Sequence, residues 1–496
     1  MLKLKKILAI ILCLCMVFAC AACNGNDSSS DTEIPSSSTQ GGTSDTSSDT
    51  TSSEDGTSSD NQSSSETSSS SDKASSTDSS SKVSSNSGST ATPSNPSSTT
   101  STPNSSNVTS SNPSSNNSSS NNSNAGSEEK NMEFQNLTNT LAKIKNGEEL
   151  NIAFMGGSIT DGTGSTNPKQ KGWPRLLCNW IESEYNVKVN ENRKSIGGTG
   201  SYLGSMRFSA EVVAKEEDIP DILFIEFAIN DAYLSYSYDQ CVRYAESIVR
   251  EAYKVNPKVE IIFVLSFDKG LATSDFEQLR AHRAVAEKYG LASIKIGDDF
   301  YRIVSEKGGK VADYLDDSVH PNDAGYEIYA EIITGRFAEL ITAAEKAHAD
   351  SGKNDYVCEN KKLPETAMSN YFTNPTLVYA KAIDRSASTG WKYNSKMFSW
   401  VATSRFPGYV SASSRNSKLV FEFEGTEFGM VYHMRQDMGT VSIYIDGNYV
   451  TDVSGYLDYS NPREAVIAEN LKKGKHTVEI VLKNNSNFEI GALLYS

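Results

Sequence analysis

The chain is poor in the residues that staple, ligate or bind polyanions. Of its 496 residues only 7 are cysteine and 5 are histidine. Four of the cysteines (Cys13, Cys15, Cys20 and Cys23) fall in the first 23 residues. The other three, Cys178, Cys241 and Cys358, are far apart and odd in number, which excludes a disulfide framework. No cysteine pair among these three has ligand spacing and no two histidines share a helix face, so neither a metal nor a cofactor is expected. Basic charge is scarce as well. With 46 Lys and Arg against 62 Asp and Glu the formal net charge is −16, which argues against nucleic acid or an anionic lipid surface as the main partner.

Apolar residues are missing from one long stretch. From Asn24 to Ser127 there is no aromatic residue, and Ile34, Val83 and Val108 are the only branched aliphatic ones. Ser, Thr, Asn, Gly, Asp and Pro make up nearly all the rest. Such a segment cannot bury enough apolar surface to offset the entropy of ordering, and it is expected to stay disordered. As a flexible coil of about 100 residues it has a reach of roughly 55 Å. Pulled straight it spans about 350 Å.

The N-terminus explains what such a tether would serve. Met1 to Lys6 is short and basic, Ile7 to Ala22 is apolar, and the run ends in Cys20-Ala21-Ala22-Cys23-Asn24. The apolar run is too short and too abruptly ended for a membrane span. Small residues followed by Cys resemble the lipobox of bacterial lipoprotein signal peptides. That resemblance implies cleavage after residue 22, lipidation of Cys23 (with Cys20 as the rival) and a membrane partner reached through the lipid. The chain would then be secreted and anchored at the cell surface, with residues 23–128 as the linker.

Beyond the linker, helical and strand patterns alternate over residues 129–349. Helices are expected at Met132–Lys145, Trp173–Tyr185, Tyr238–Tyr253 and Ser274–Tyr289, and from Asn322 onward. Strands are expected at Ile152–Met155, Val187–Val189, Asp221–Phe227, Lys258–Ser266 and Leu291–Ile296. This alternation predicts a three-layer α/β/α domain built on a parallel sheet. Its opening strand runs into Gly156-Gly157-Ser158-Ile159-Thr160. In open α/β sheets ligands bind at the carboxyl ends of strands, where Ser158 stands.

A serine nucleophile needs a base, and the base needs an orienting group. His282 lies in a charged helix, His348 at a polar helix end, and His433 and His476 in a later β-rich segment. His320 remains, in Asp316-Asp317-Ser318-Val319-His320-Pro321. Asp317, three residues earlier, is spaced to meet its ring. Donors for a developing oxyanion are offered by two loops at strand ends: Ile196-Gly197-Gly198-Thr199-Gly200 through backbone N–H groups, and Ile229-Asn230-Asp231 through the Asn230 side chain. No Walker lysine accompanies the glycines.

These four segments, in this order, resemble the motif blocks of the SGNH (GDSL-like) hydrolases over about residues 150–337. The resemblance implies a flavodoxin-like fold and a Ser158, His320, Asp317 triad. It implies an oxyanion hole from the N–H groups of Ser158 and Gly198 and the Asn230 side chain, with Gly197 or Gly200 as substitutes for Gly198. Two positions depart from the pattern: Gly157 replaces the usual Asp, and Ala228 replaces a Gly. Trp173 is a candidate for lining the site, although an aromatic at a helix start is more often core. Asp231 and Asp316 are read as structural.

Residues 356–496 change period. Alternating runs at Leu419–Phe423, Phe428–Met434, Val441–Ile445 and Thr477–Leu482, with turns at Asp446-Gly447 and Lys473-Gly474, predict a β-sandwich. The segments around Asp446 and Gly474 resemble jelly-roll domains that accompany some carbohydrate esterases. Trp391, Tyr393, Trp400 and Tyr409 are candidates for stacking on sugar, against the commoner role of aromatics as sandwich core. The expected function is therefore a surface-anchored serine esterase acting on short acyl esters, O-acetyl above all, of a carbohydrate or other small ester substrate. The alternatives are a lipid esterase or thioesterase of the same fold, and a carbohydrate-binding lipoprotein with an inert hydrolase domain.

Overall fold

The structure, a computed structural model, describes residues 136–270, 275–396 and 406–496. The signal segment, Cys20, Cys23, the linker and Trp400 lie outside these residues.

Five parallel strands form the first sheet: β1 (Leu150–Gly156), β2 (Val189–Ser195), β3 (Ile222–Glu226), β4 (Glu260–Leu265) and β5 (Ala292–Lys295). Their order is β2-β1-β3-β4-β5, that of a doubly wound flavodoxin-like sheet. Successive side chains of each strand feed opposite faces. Ala153, Met155, Leu223, Ile225, Ile261 and Phe263 join one core, while Ile152, Phe154, Ile222, Phe224, Ile262 and Val264 join the other. The helices are α1 (Thr138–Asn146), α2 (Ser158–Asp161), α3 (Pro168–Lys171), α4 (Trp173–Tyr185), α5 (Ser201–Arg207), α6 (Ala228–Tyr233), α7 (Tyr238–Val255), α8 (Glu277–Tyr289), α9 (Ile296–Glu306) and α10 (Asp323–Ser351). Local chemistry sets their ends. Ser237 and Gln240 form a capping box at α7, and the Asn322 side chain accepts the Gly325 N–H at the start of α10.

Several elements differ from expectation, and the short helices α2, α3, α5 and α6 were not anticipated. The second strand starts where Val187–Val189 was expected to end, and it runs on through Asn190, Glu191, Asn192, Arg193 and Lys194. As the sheet edge, β2 is only half buried and needs no apolar run. Helix α9 follows β5 with no turn signal between them, and its range was not anticipated.

The named strands of the C-terminal region all pair antiparallel. Its strands are β6 (Thr376–Tyr379), β7 (Lys392–Asn394), β8 (Tyr409–Ala412), β9 (Lys418–Gly425), β10 (Phe428–Met434), β11 (Thr440–Ile445), β12 (Asn448–Ser454), β13 (Asn461–Ala468), β14 (Gly474–Leu482) and β15 (Phe488–Tyr495). One sheet has the order β13-β10-β15-β8-β7, with β6 also paired to β15, and the other has β12-β11-β14-β9. Leu419, Val441, Ile443 and Ile480 of the second sheet pack with Val410, Met430, Ile490 and Leu493 of the first, giving a two-sheet sandwich. Asp446 and Gly447, both at positive φ, make the tight turn between β11 and β12.

The α/β and β parts share a core. Phe372, Phe406, Val431, Ala492 and Leu494 belong to the same apolar cluster as Tyr202, Tyr244 and Ile248. Polar ties reinforce it: Glu246 accepts the Ala367 and Met368 N–H groups at 2.6 and 2.7 Å, and Ser247 Oγ accepts the Phe372 N–H at 2.8 Å.

Candidate active site

Strand register brings the motif segments together. Gly156 at the end of β1 pairs with Ser195 of β2 on one side and with Glu226 of β3 on the other. The carboxyl ends of three adjacent strands are thus level. Ser158 lies two residues past that line, Gly198 three past it and Asn230 four past it. Ser158 opens α2, half buried, at the crest of the turn. Helix α10 fastens that turn from below, because the buried Tyr326 hydroxyl donates to the carbonyls of Ile159 (3.1 Å) and Thr163 (2.8 Å).

His320 arrives on a closed turn between Leu315 and Pro321, in which the Asp316 N–H donates to the His320 carbonyl at 2.8 Å. Its Nε2 stands 2.7 Å from Ser158 Oγ, and its Nδ1 stands 2.6 Å from Asp317 Oδ2. A carboxylate only accepts, so Nδ1 carries the proton and Nε2 is left to accept from the serine hydroxyl. Asp317 Oδ1 also accepts the backbone N–H groups of Val319 and His320, both at 2.8 Å. Desolvation works to raise the Asp317 pKa, but the His320 amide and ring and the Val319 amide outweigh it, holding the carboxyl below its ordinary value. A chain of this kind can take a proton from a serine and return it to a leaving group.

Asn230 lies in the first turn of α6 and is buried. Its side chain is against Gly157, since a Cβ added there would stand 2.2 Å from Asn230 Oδ1. Gly198, at φ +75°, occupies the left-handed region that favours glycine.

Residues 154–328 match the GDSL-like Lipase/Acylhydrolase family. This part of the chain is a GDSL-like acylhydrolase domain. It is an ester-bond hydrolase by family. Among curated proteins no match is found. Among solved structures, a two-domain esterase active on acetylated mannans, co-crystallised with mannopentaose, is similar at 21% identity and a TM-score of 0.62. The match covers 74% of this chain and 97% of that one, so it takes in both the acylhydrolase domain and the sandwich. An acetyl xylan esterase from Geobacillus stearothermophilus matches at 21% identity and a TM-score of 0.31, over 38% of this chain and 94% of that chain.

The two departures from the family pattern have structural counterparts. Asn230 fills the space that any side chain at position 157 would enter, so the acylhydrolase domain has glycine there. Ala228 is buried at the start of α6. Trp173 does not line the site. It is fully buried and packs edge-on against Phe154 (5.3 Å) and Phe224 (5.7 Å). Trp391 is likewise in the sandwich core, and Tyr393 and Tyr409 are half buried. Among the described residues, the exposed aromatics of that region are Tyr449, Tyr456 and Tyr459, which were not singled out from the sequence.

Two further residues beside the site, His282 and Glu226, were given no role from the sequence, whereas Asp231 was read as structural. His282 is not on a charged face but buried, with Nε2 2.7 Å from Asp231 Oδ2. Asp231 also takes the Ser201 N–H (2.8 Å) and hydroxyl (2.6 Å), so it fixes the start of α5. Glu226 lies fully buried under the nucleophile turn and accepts the Thr160 hydroxyl at 2.9 Å. Burial pushes its carboxyl up to about 7, with the Thr160 and Ser266 hydroxyls and the Gly157 and Thr160 amides opposing. A charged residue inside the apolar run Ile222–Phe227 was the available signal.

Proposed function

We propose that the protein is a serine esterase that removes O-acetyl groups from a polysaccharide. The observation that carries this reading is the unbroken series Asp317, His320, Ser158, with contacts of 2.6 and 2.7 Å at a strand end. Ser158 Oγ attacks the ester carbonyl while His320 Nε2 takes its proton. The resulting oxyanion receives hydrogen bonds from the Ser158 and Gly198 N–H groups and the Asn230 side-chain amide. As the C–O bond breaks, the imidazolium gives its proton to the departing sugar oxygen, which leaves as a hydroxyl, with the acetyl on Ser158. Water, deprotonated by His320, then releases acetate and restores the serine.

The polysaccharide reading is supported by the two-domain relative that acts on acetylated mannans, which is similar across both parts of the chain. It is supported too by Tyr456 and Tyr459, 55% and 65% exposed on the loop entering β13, close in sequence to Asn461 at the glycine loop. Exposed tyrosine rings stack on the apolar faces of sugars. The lipobox-like segment adds secretion and attachment of the whole at the cell surface through a lipid on Cys23, with the linker giving reach.

The test is acetate release from acetylated mannan, acetylated xylan and p-nitrophenyl acetate, by the wild type and by Ser158→Ala. The expected result is release by the wild type and loss of at least a thousandfold in the variant. Equal release by both would remove Ser158 from the mechanism. Hydrolysis confined to long-chain acyl esters would replace the polysaccharide with a lipid substrate.

A further inference from the structure

The sandwich reaches into the loop that carries Gly198. Its edge strand β13 lies against the start of α5, and the Glu464 side chain is buried there, with only 3% exposed. The Glu464 carboxylate accepts the Gly200 N–H (3.0 Å to Oε2, 3.2 Å to Oε1), the Leu203 N–H (3.2 Å) and the Tyr236 hydroxyl (3.0 Å). The first two are backbone groups of the glycine loop and the first turn of α5, more than 260 residues away in sequence. At the head of the same strand, Asn461 lies on Gly198 itself, since a Cβ there would meet Asn461 Nδ2 at 2.7 Å.

We propose that Glu464 is a positioning residue for the acyl-transfer site, holding from the sandwich the loop that presents the Gly198 N–H to the oxyanion. The loop is short and fastened at both ends. The Ile196 N–H donates to the Gly156 carbonyl at 3.1 Å, which ties the loop to the nucleophile strand. Gly200 is tied to Glu464. Between these anchors Gly198, in the left-handed region, has no side chain of its own to fix it. The direction of its N–H is therefore set jointly by the two domains. Removing the carboxylate leaves two buried backbone donors unpaired, and the loop relaxes to rehydrate them.

Burial pushes the Glu464 carboxyl up to about 7, opposed by the Gly200 and Leu203 amides and reinforced by the nearby Asp231 charge. A group held at that cost in a shared core fits a task beyond filling space. This inference rests on the reading of Gly198 as an oxyanion donor.

The test compares wild type, Glu464→Ala and the near-isosteric Glu464→Gln in the full chain. Two measurements are made on each: kcat and KM on p-nitrophenyl acetate, per serine titrated with a phosphonate ester, and amide hydrogen exchange over 197–203. Glu464→Ala is expected to lose at least tenfold in kcat with KM within twofold. Glu464→Gln is expected to recover part of that loss, and exchange at Gly200 and Leu203 to rise in both. A folded Glu464→Ala with unchanged kcat per titrated serine would overturn the proposal, even if its melting temperature fell. If Glu464→Ala does not fold, Glu464→Gln carries the same two readouts. Ser158→Ala separates this proposal from the one it rests on. Hydrolysis that survives that substitution defeats the serine mechanism, while unchanged exchange over 197–203 in the Glu464 variants defeats the positioning role whatever the activity shows.

Discussion

Asp317 holds His320 at two points at once: Oδ2 meets the ring Nδ1 at 2.6 Å, and Oδ1 accepts the backbone N–H at 2.8 Å. One carboxylate thus sets both the path of the chain and the tautomer of the ring. Asp317→Asn keeps the shape but puts an amide where two acceptors are required. The ring then loses its fixed Nδ1 proton. The expected loss in kcat on p-nitrophenyl acetate is on the order of 10²–10³-fold with little change in KM. A larger loss is not expected, because the Asp317 side chain is 51% exposed and water can take its place. A loss under threefold would show that His320 works without it.

Gly157→Ala tests the packing behind the oxyanion site. Its Cβ would stand 2.2 Å from Asn230 Oδ1 and 2.7 Å from Cγ, so the Asn230 side chain must move. The donor it carries moves with it. Loss of one such donor lowers kcat by about 10²–10³-fold. Asn230→Ala should fall by a similar factor, and the double variant Gly157→Ala/Asn230→Ala by little more than either alone. Additive losses in the double variant would mean that position 157 acts by another route.

What could be read from the sequence followed from how much each feature depends on neighbours along the chain. The β1 turn, the Asp-x-x-His turn and the strands buried on both faces are local, and their residues are where the spacing put them. Edge strand β2 was misplaced because half-buried polar residues carry no periodic signal. Strands β6, β7, β8, β12, β13 and β15 were not anticipated. The β12 segment is largely exposed, while β15, buried almost throughout, lacks alternation. His282 and Glu464 were illegible for a different reason. Their meaning comes from partners 51 and 264 residues away, which no local pattern encodes.

Glu226 and Glu464 predict an unusual pH dependence of stability. Each is fully buried, and burial raises its carboxyl from 4.5 to about 7. A raised folded-state pKa means the folded protein holds a proton that the unfolded chain has released. Each group's contribution is therefore fully present below about pH 4.5 and is lost as pH rises to about 7. The size is on the order of 3 kcal/mol per group. Urea denaturation at pH 5 and pH 8 checks this. Glu226→Gln and Glu464→Gln should each shrink the difference between the two pH values, and a difference equal to wild type in both would refute the assignment.

The link between α7 and the sandwich gives the last prediction. Arg243 is 4% exposed, bonds Glu427 through Nη2 and Glu469 through Nη1 (2.9 Å), donates from Nε to the Asn370 carbonyl (2.6 Å), and covers the Phe372 ring at 4.5 Å. Burial already raises the Glu427 pKa, and the Arg243 guanidinium works against it. Arg243→Ala strips the cation and leaves a buried carboxylate uncompensated, which costs about 3–5 kcal/mol. Because that cost belongs to the charged form of Glu427, it should ease as pH falls and the carboxyl takes a proton. Arg243→Ala/Glu427→Gln should recover much of the loss at pH 8, since the buried Glu427 charge is then gone and the partly exposed Glu469 keeps its Gln240 and Tyr244 donors. Urea unfolding at pH 5 and pH 8 of the single and double variants measures both effects. A single variant that loses under 1 kcal/mol at pH 8, or a double variant no more stable than the single, would mean that Arg243 contributes little to joining the two parts of the chain.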